Sequence, residues 1–151
     1  MLRWLTLLLL LVHVASPARG KVPQGAPANP LPIRELEVEG VQSYRLGNGL
    51  RVLLLPEPSA ASLTVEVAYS VGSRHEGYGE AGMAHLLEHL MFKGTARFPK
   101  PDEEIIRRGG EWNAETEVDH TRYYQTHLPS QDNLRVALAM EADRMTQVRF
   151  R

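Results

Sequence analysis

Hydrophobic and polar positions alternate most cleanly over residues 63–71, with Leu63, Val65, Val67, Tyr69 and Val71 on one side and Thr64, Glu66, Ala68 and Ser70 on the other. A period of two predicts a strand with one face packed and the other more polar. Upstream, Tyr44-Arg45-Leu46 and the run from Leu50 to Leu55 flank Gly47-Asn48-Gly49. That turn sequence tolerates positive φ and predicts a hairpin, whose second strand ends at Pro56 and Pro58. Residues 81–91 predict a helix, apolar at Met83, Leu86, Leu87 and Leu90 and stopped by Lys93-Gly94-Thr95. Residues 101–108 predict a second helix, with Asp102, Glu103 and Glu104 at its start and Arg107 and Arg108 at its end, complementing the helix dipole. Two more strands are expected over residues 111–117 and 120–128, about a tight turn at Val118-Asp119. Residues 130–148 then carry Leu134, Ala137, Leu138, Met145 and Val148 along one helical stripe. This order predicts an α+β fold: a mostly antiparallel sheet with helices packed on one face.

The first 32 residues follow a different pattern. Arg3 precedes an almost unbroken apolar run from Leu5 to Val14, and Ser16-Pro17-Ala18 offers small residues for cleavage. This is the grammar of a secretory signal over residues 1–18, too short to serve comfortably as a permanent membrane anchor. Residues 19–32, rich in Pro, Gly and Ala, read as an extended leader, and residues 33–151 as the folded part. The expected location is therefore outside the cytoplasm, in a bacterial periplasm or the extracellular medium. The chain has no cysteine, which removes disulfides and thiolate ligands and leaves metal chemistry to His and carboxylates. A net charge of −1, with no basic stripe interleaved with aromatics, argues against a nucleic-acid partner.

Chemistry concentrates in His85-Leu86-Leu87-Glu88-His89. Two histidines four residues apart project from one helix face a turn apart, so both rings can reach one ion. Glu88 lies beside the same face, where it can take a proton from water without holding the metal. The order His-x-x-Glu-His is the inverted zinc-peptidase motif. The competing reading is an amphipathic helix with two surface histidines and a solvated glutamate.

The surrounding blocks go further. Leu46-Gly47-Asn48-Gly49-Leu50-Arg51-Val52, Val71-Gly72-Ser73-Arg74, Gly82 through Thr95, Gly109 through Tyr124, and Glu141-Ala142-Asp143-Arg144-Met145 together resemble the N-terminal domain of the pitrilysin-type (M16) zinc peptidases. The resemblance implies that His85 and His89 are zinc ligands and Glu88 the general base of a metalloendopeptidase that cuts extended peptides by metal-activated water. It implies that Asn113, Ala114 and Thr116 lie on a strand beside the cleft, where a peptide substrate adds as a β-strand. It also implies a third ligand, a glutamate beyond Arg151, and a C-terminal half or partner subunit that completes the site. Within the chain, His75, Glu80, Glu111 and Glu117 stand as substitutes for that ligand. Arg74, His75 and Glu76 are expected to be structural or to rim the cleft, and Tyr123 and Tyr124 to pack. The alternative function is a non-catalytic subunit of the same fold with a binding or assembly role.

Overall fold

The computed structural model describes residues 10–14 and 31–149. Among the described residues there are seven strands: β1 (Leu10–Val14), β2 (Ile33–Val38), β3 (Val41–Arg45), β4 (Arg51–Leu54), β5 (Leu63–Tyr69), β6 (Glu111–Thr116) and β7 (Thr121–His127). They form one sheet in the order β2-β3-β4-β1-β5-β7-β6. Neighbouring strands are antiparallel except β1 and β5, which run parallel. The same residues form the α-helices α1 (Met83–Leu90), α2 (Pro101–Arg107) and α3 (Gln131–Gln147). The expected α+β class and mostly antiparallel sheet are therefore observed.

Each boundary has a local cause. Gly49, at φ +90°, turns β3 into β4, while the Asn48 side chain accepts the Leu50 N–H at 3.1 Å. The β2–β3 turn at Glu39 and Gly40, both with positive φ, has no strong sequence signal, because Glu39 is the one non-glycine residue in that region among those described. The strand expected to reach residue 71 ends at Tyr69, since the Val71 N–H folds back onto the Tyr69 carbonyl at 2.7 Å. α3 starts after Ser130, whose hydroxyl accepts the Asn133 N–H at 3.0 Å in a standard N-cap. Leu10–Val14, which falls within the expected signal, is placed as β1 between β4 and β5. The remainder of that signal, and the leader up to residue 30, lie outside the described residues.

The sheet packs through one face. Val65 and Val67 of β5 are fully buried against Ala137 of α3, with Val52, Leu54, Leu134, Leu138 and Met145 around them. Along β7, buried Thr121, Tyr123, Gln125 and His127 alternate with half-buried Arg122, Tyr124 and Thr126. A second cluster joins Met91, just beyond α1, to Ala114 of β6 and Tyr123 of β7, with Phe92 beside them. The ring of Phe92 also meets Trp112, at 4.4 Å between centroids. This cluster seats the end of α1 against β6. Under it lies a buried polar network: the Gln125 amide donates to Glu141 at 2.6 Å, and Glu141 pairs with Arg144 one turn on.

Candidate active site

α1 carries the motif but inverts the usual amphipathic arrangement. Its one buried residue is Glu88, at 7% exposure, whereas Met83, Leu86 and Leu87 are each about half exposed. A period of 3.6 marks an apolar stripe without saying which side of the helix meets the sheet. Here the side carrying Glu88 does so.

The histidines converge. Nε2 of His85 and Nε2 of His89 lie 3.0 Å apart, with ring centroids separated by 4.7 Å. Two imidazoles on one tetrahedral zinc ion, with bonds of 2.0–2.1 Å, would hold these nitrogens about 3.3 Å apart. The pair therefore already has nearly the separation such an ion needs. A donor atom from each of His85, Glu88 and His89 falls within 4.8 Å of the others. Borderline-soft nitrogen donors with a carboxylate beside them suit zinc, so the residues fit the metal that the motif implies.

Glu88 is held from the sheet side. The Thr116 hydroxyl of β6 donates to its Oε2, leaving Oε1 free of that bond. Ala114 and Thr116 alternate on the face of β6 that meets α1, so both reach the site. Asn113 directly precedes Ala114 on the strand and is exposed, its side chain on the opposite face. Among the described residues β6 pairs with β7 alone and ends the sheet, so its outer main-chain edge is open. A cleft of about 480 Å³ runs between this edge and α1, lined by Ser73, Glu76, His85, Glu88, Ala114, Thr116 and Glu117.

The loop before α1 is ordered. Backbone N–H groups of Ser73 and Arg74 donate to the carbonyls of Glu117 and Val118, at 3.0 and 2.8 Å. Gly72 allows this approach: a Cβ there would lie 2.3 Å from the Glu117 carbonyl oxygen. Glu76 then reaches forward to the start of α1, and two backbone N–H bonds, from Ala84 and Gly82, hold its carboxyl below the usual carboxylate range. Sequence reasoning placed Glu76 at the rim or in the scaffold and assigned Thr116 to substrate. The bond from Thr116 to Glu88 spans 28 residues of chain and leaves no local signal.

The substitutes considered for a third ligand do not join the histidines. Among the described residues, the only group of three close ligating side chains is His85, Glu88 and His89. His75 accepts the Gly72 N–H at 3.1 Å through Nδ1, and Glu80 accepts the Gly77 N–H at 2.8 Å. Glu117 lines the cleft without entering the cluster, and Glu111 opens β6 at its far end.

Residues 51–151 match the family model described as Insulinase (Peptidase family M16). The zinc protease PqqE of Helicobacter pylori is 42% identical over 107 residues, covering 69% of this chain and 24% of that protein. Among solved structures, a protease from Helicobacter pylori superposes with a TM-score of 0.67 at 38% identity, over 74% of this chain and 27% of the other. Pitrilysin superposes with a TM-score of 0.63 at 31% identity, over 77% of this chain and 12% of the other. The chain thus spans about a quarter or less of the length of these relatives.

Proposed function

Because this chain belongs to the M16 peptidase family, we propose that it supplies two zinc ligands, His85 and His89, and the general base, Glu88, of a metalloendopeptidase. The observation that carries this reading is the convergence of the two Nε2 atoms at 3.0 Å beside a buried carboxylate held by Thr116. A bound zinc ion supplies Lewis acidity, polarising a carbonyl and lowering the pKa of water. The chain's own residues do the rest. Glu88, fixed through Oε2, presents Oε1 to take the proton of the attacking water and return it to the leaving amine. The open outer edge of β6, the strand that carries Asn113, Ala114 and Thr116, offers main-chain groups to an extended peptide, which would add as a strand alongside the cleft. Such pairing binds backbone and is tolerant of side chains. Two histidines and one base leave the usual three-ligand set incomplete, so the reading includes a further ligand from a C-terminal half or partner subunit.

Glu88→Gln in the full-length protein tests this. Zinc content should stay at the wild-type level while peptide hydrolysis falls by about 10²–10⁴-fold, the range for removing a general base. Unchanged hydrolysis would remove Glu88 from the role. Wild-type protein that neither retains zinc nor cleaves peptide would favour the non-catalytic subunit.

The signal-like start supports export to the periplasm or extracellular medium. Mass spectrometry of the mature protein should find it starting after Ala18. A mature chain retaining Leu10–Val14 would instead keep β1 in the sheet and refute cleavage.

A further inference from the structure

α1 begins without a cap of its own. Gly82 occupies the N-cap position at φ +89° and brings no side chain to accept the first-turn N–H groups. Glu76, six residues earlier, does this from outside the helix: Oε2 accepts the Gly82 N–H and Oε1 the Ala84 N–H, each at 2.9 Å. Its negative charge also faces the positive end of the helix dipole.

The residues just before Glu76 are anchored in turn. Ser73 and Arg74 donate to the carbonyls of Glu117 and Val118, immediately beyond Thr116. The metal helix is therefore tied to the β6–β7 hairpin at two points. Thr116 holds it at Glu88, and Glu76 holds it at the residue next to His85. An eight-residue helix is too short to be stable by itself, so its rotation and its first turn are set by such tethers.

We propose that Glu76 is a positioning residue for the metal site, fixing the first turn of α1 so that Nε2 of His85 meets Nε2 of His89. This rests on the reading of the two histidines as zinc ligands. Losing the tether frees the turn that carries His85 while leaving His89, a turn further in, on helix held by Thr116. Zinc affinity then falls, because a ligand must be ordered at the moment of binding.

The test uses the full-length protein, with zinc affinity measured by competition against a chromogenic chelator and cobalt(II) absorption as a report on ligand geometry. Glu76→Ala should lose about 10-fold or more in zinc affinity, the scale seen when groups that orient ligands are removed. Its cobalt bands should also shift or weaken. Glu76→Gln, which keeps one acceptor oxygen, should fall between Glu76→Ala and wild type. Ala137→Gly, in the separate core cluster that α3 forms with Val65 and Val67, serves as the stability control: melting temperature drops while zinc affinity and cobalt spectrum stay at wild type. If Glu76→Ala does not fold, Glu76→Gln carries the comparison. Wild-type affinity and spectrum in the Glu76 variants would overturn the proposal, as would an equal affinity loss in Ala137→Gly. A wild-type protein that binds no zinc would instead overturn the zinc reading and this proposal with it.

Discussion

Replacing Glu141 with leucine should be among the most damaging single changes in the core, and the reason is the cation it leaves behind. The side chains of Glu141 and Arg144 are each 4% exposed. Arg144 donates to Glu141 through Nη2 at 2.5 Å and Nε at 3.2 Å, and its guanidinium lies 4.5 Å from the Tyr123 ring and 5.2 Å from that of Trp112. Two charges roughly 4 Å apart at an effective dielectric constant of about 20 attract by about 4 kcal/mol. Glu141→Leu removes that attraction and leaves the Gln125 amide only its long 3.5 Å bond to the Ala137 carbonyl, while Arg144, whose Nη1 already has no partner, stays buried. The expected loss is about 3–5 kcal/mol, a large share of the ~5–15 kcal/mol that holds a typical domain folded. Glu141→Leu combined with Arg144→Met removes the desolvation cost along with the attraction, so the double variant should recover to within about 2 kcal/mol of wild type. Urea unfolding of wild type, both single variants and the double variant, followed by tryptophan fluorescence, gives the four corners of the cycle. A loss below about 1 kcal/mol in Glu141→Leu, or a double variant as unstable as the sum of the singles, would refute the reasoning. The candidate site would feel the same change, since Tyr123 and Trp112 pack against Met91 and Phe92 at the end of α1.

Two further outcomes follow from named contacts. Thr116→Val keeps the shape of the side chain but removes the hydroxyl that donates to Glu88. A bond to a charged group is worth about 1.5–3 kcal/mol, so kcat should fall by roughly 10- to 100-fold with zinc content and KM little changed; a raised KM at constant kcat would place Thr116 in substrate binding instead. His127 is 2% exposed, and burial first, then the nearby Arg108 cation, push its pKa below the ordinary value. The Gln125 amide donates to Glu141, so its oxygen accepts the Nε2–H of His127 at 2.8 Å, which keeps the neutral ring in that tautomer. Between the unfolded pKa of about 6.5 and the lower folded one, the unfolded chain binds more protons, so stability should drop as pH falls below about 6.5. His127→Gln should flatten that slope relative to wild type in urea unfolding at pH 7.5 and 5.5, and an identical slope would exclude His127 as its source.

Most elements were legible because their signals are short-range. The alternation of Leu63, Val65 and Val67, the Asn48-Gly49 turn and the charges framing α2 each lie within a few residues, and the corresponding elements appear within two residues of expectation at most ends. The spacing of His85, Glu88 and His89 is likewise a property of one helix, which is why the pairing of the two histidines was legible before any fold was known. The direction of α1 could not. Its apolar residues suggest a buried side, yet the sheet receives Glu88 and leaves Leu86 and Leu87 about half exposed.

What the sequence determined by itself is local geometry and donor chemistry: a helix that brings two imidazoles together, with a carboxylate near them and no cysteine to compete. Only the tertiary structure decided which groups restrain that helix. The register of β6 on β7 puts Thr116 under Glu88, and Gly72 lets the preceding loop dock on the hairpin so that Glu76 reaches the first turn of α1. Those contacts join residues far apart along the chain for Thr116, and across a glycine-rich loop for Glu76. Periodicity describes single elements, so it carries no information on how one is rotated against another.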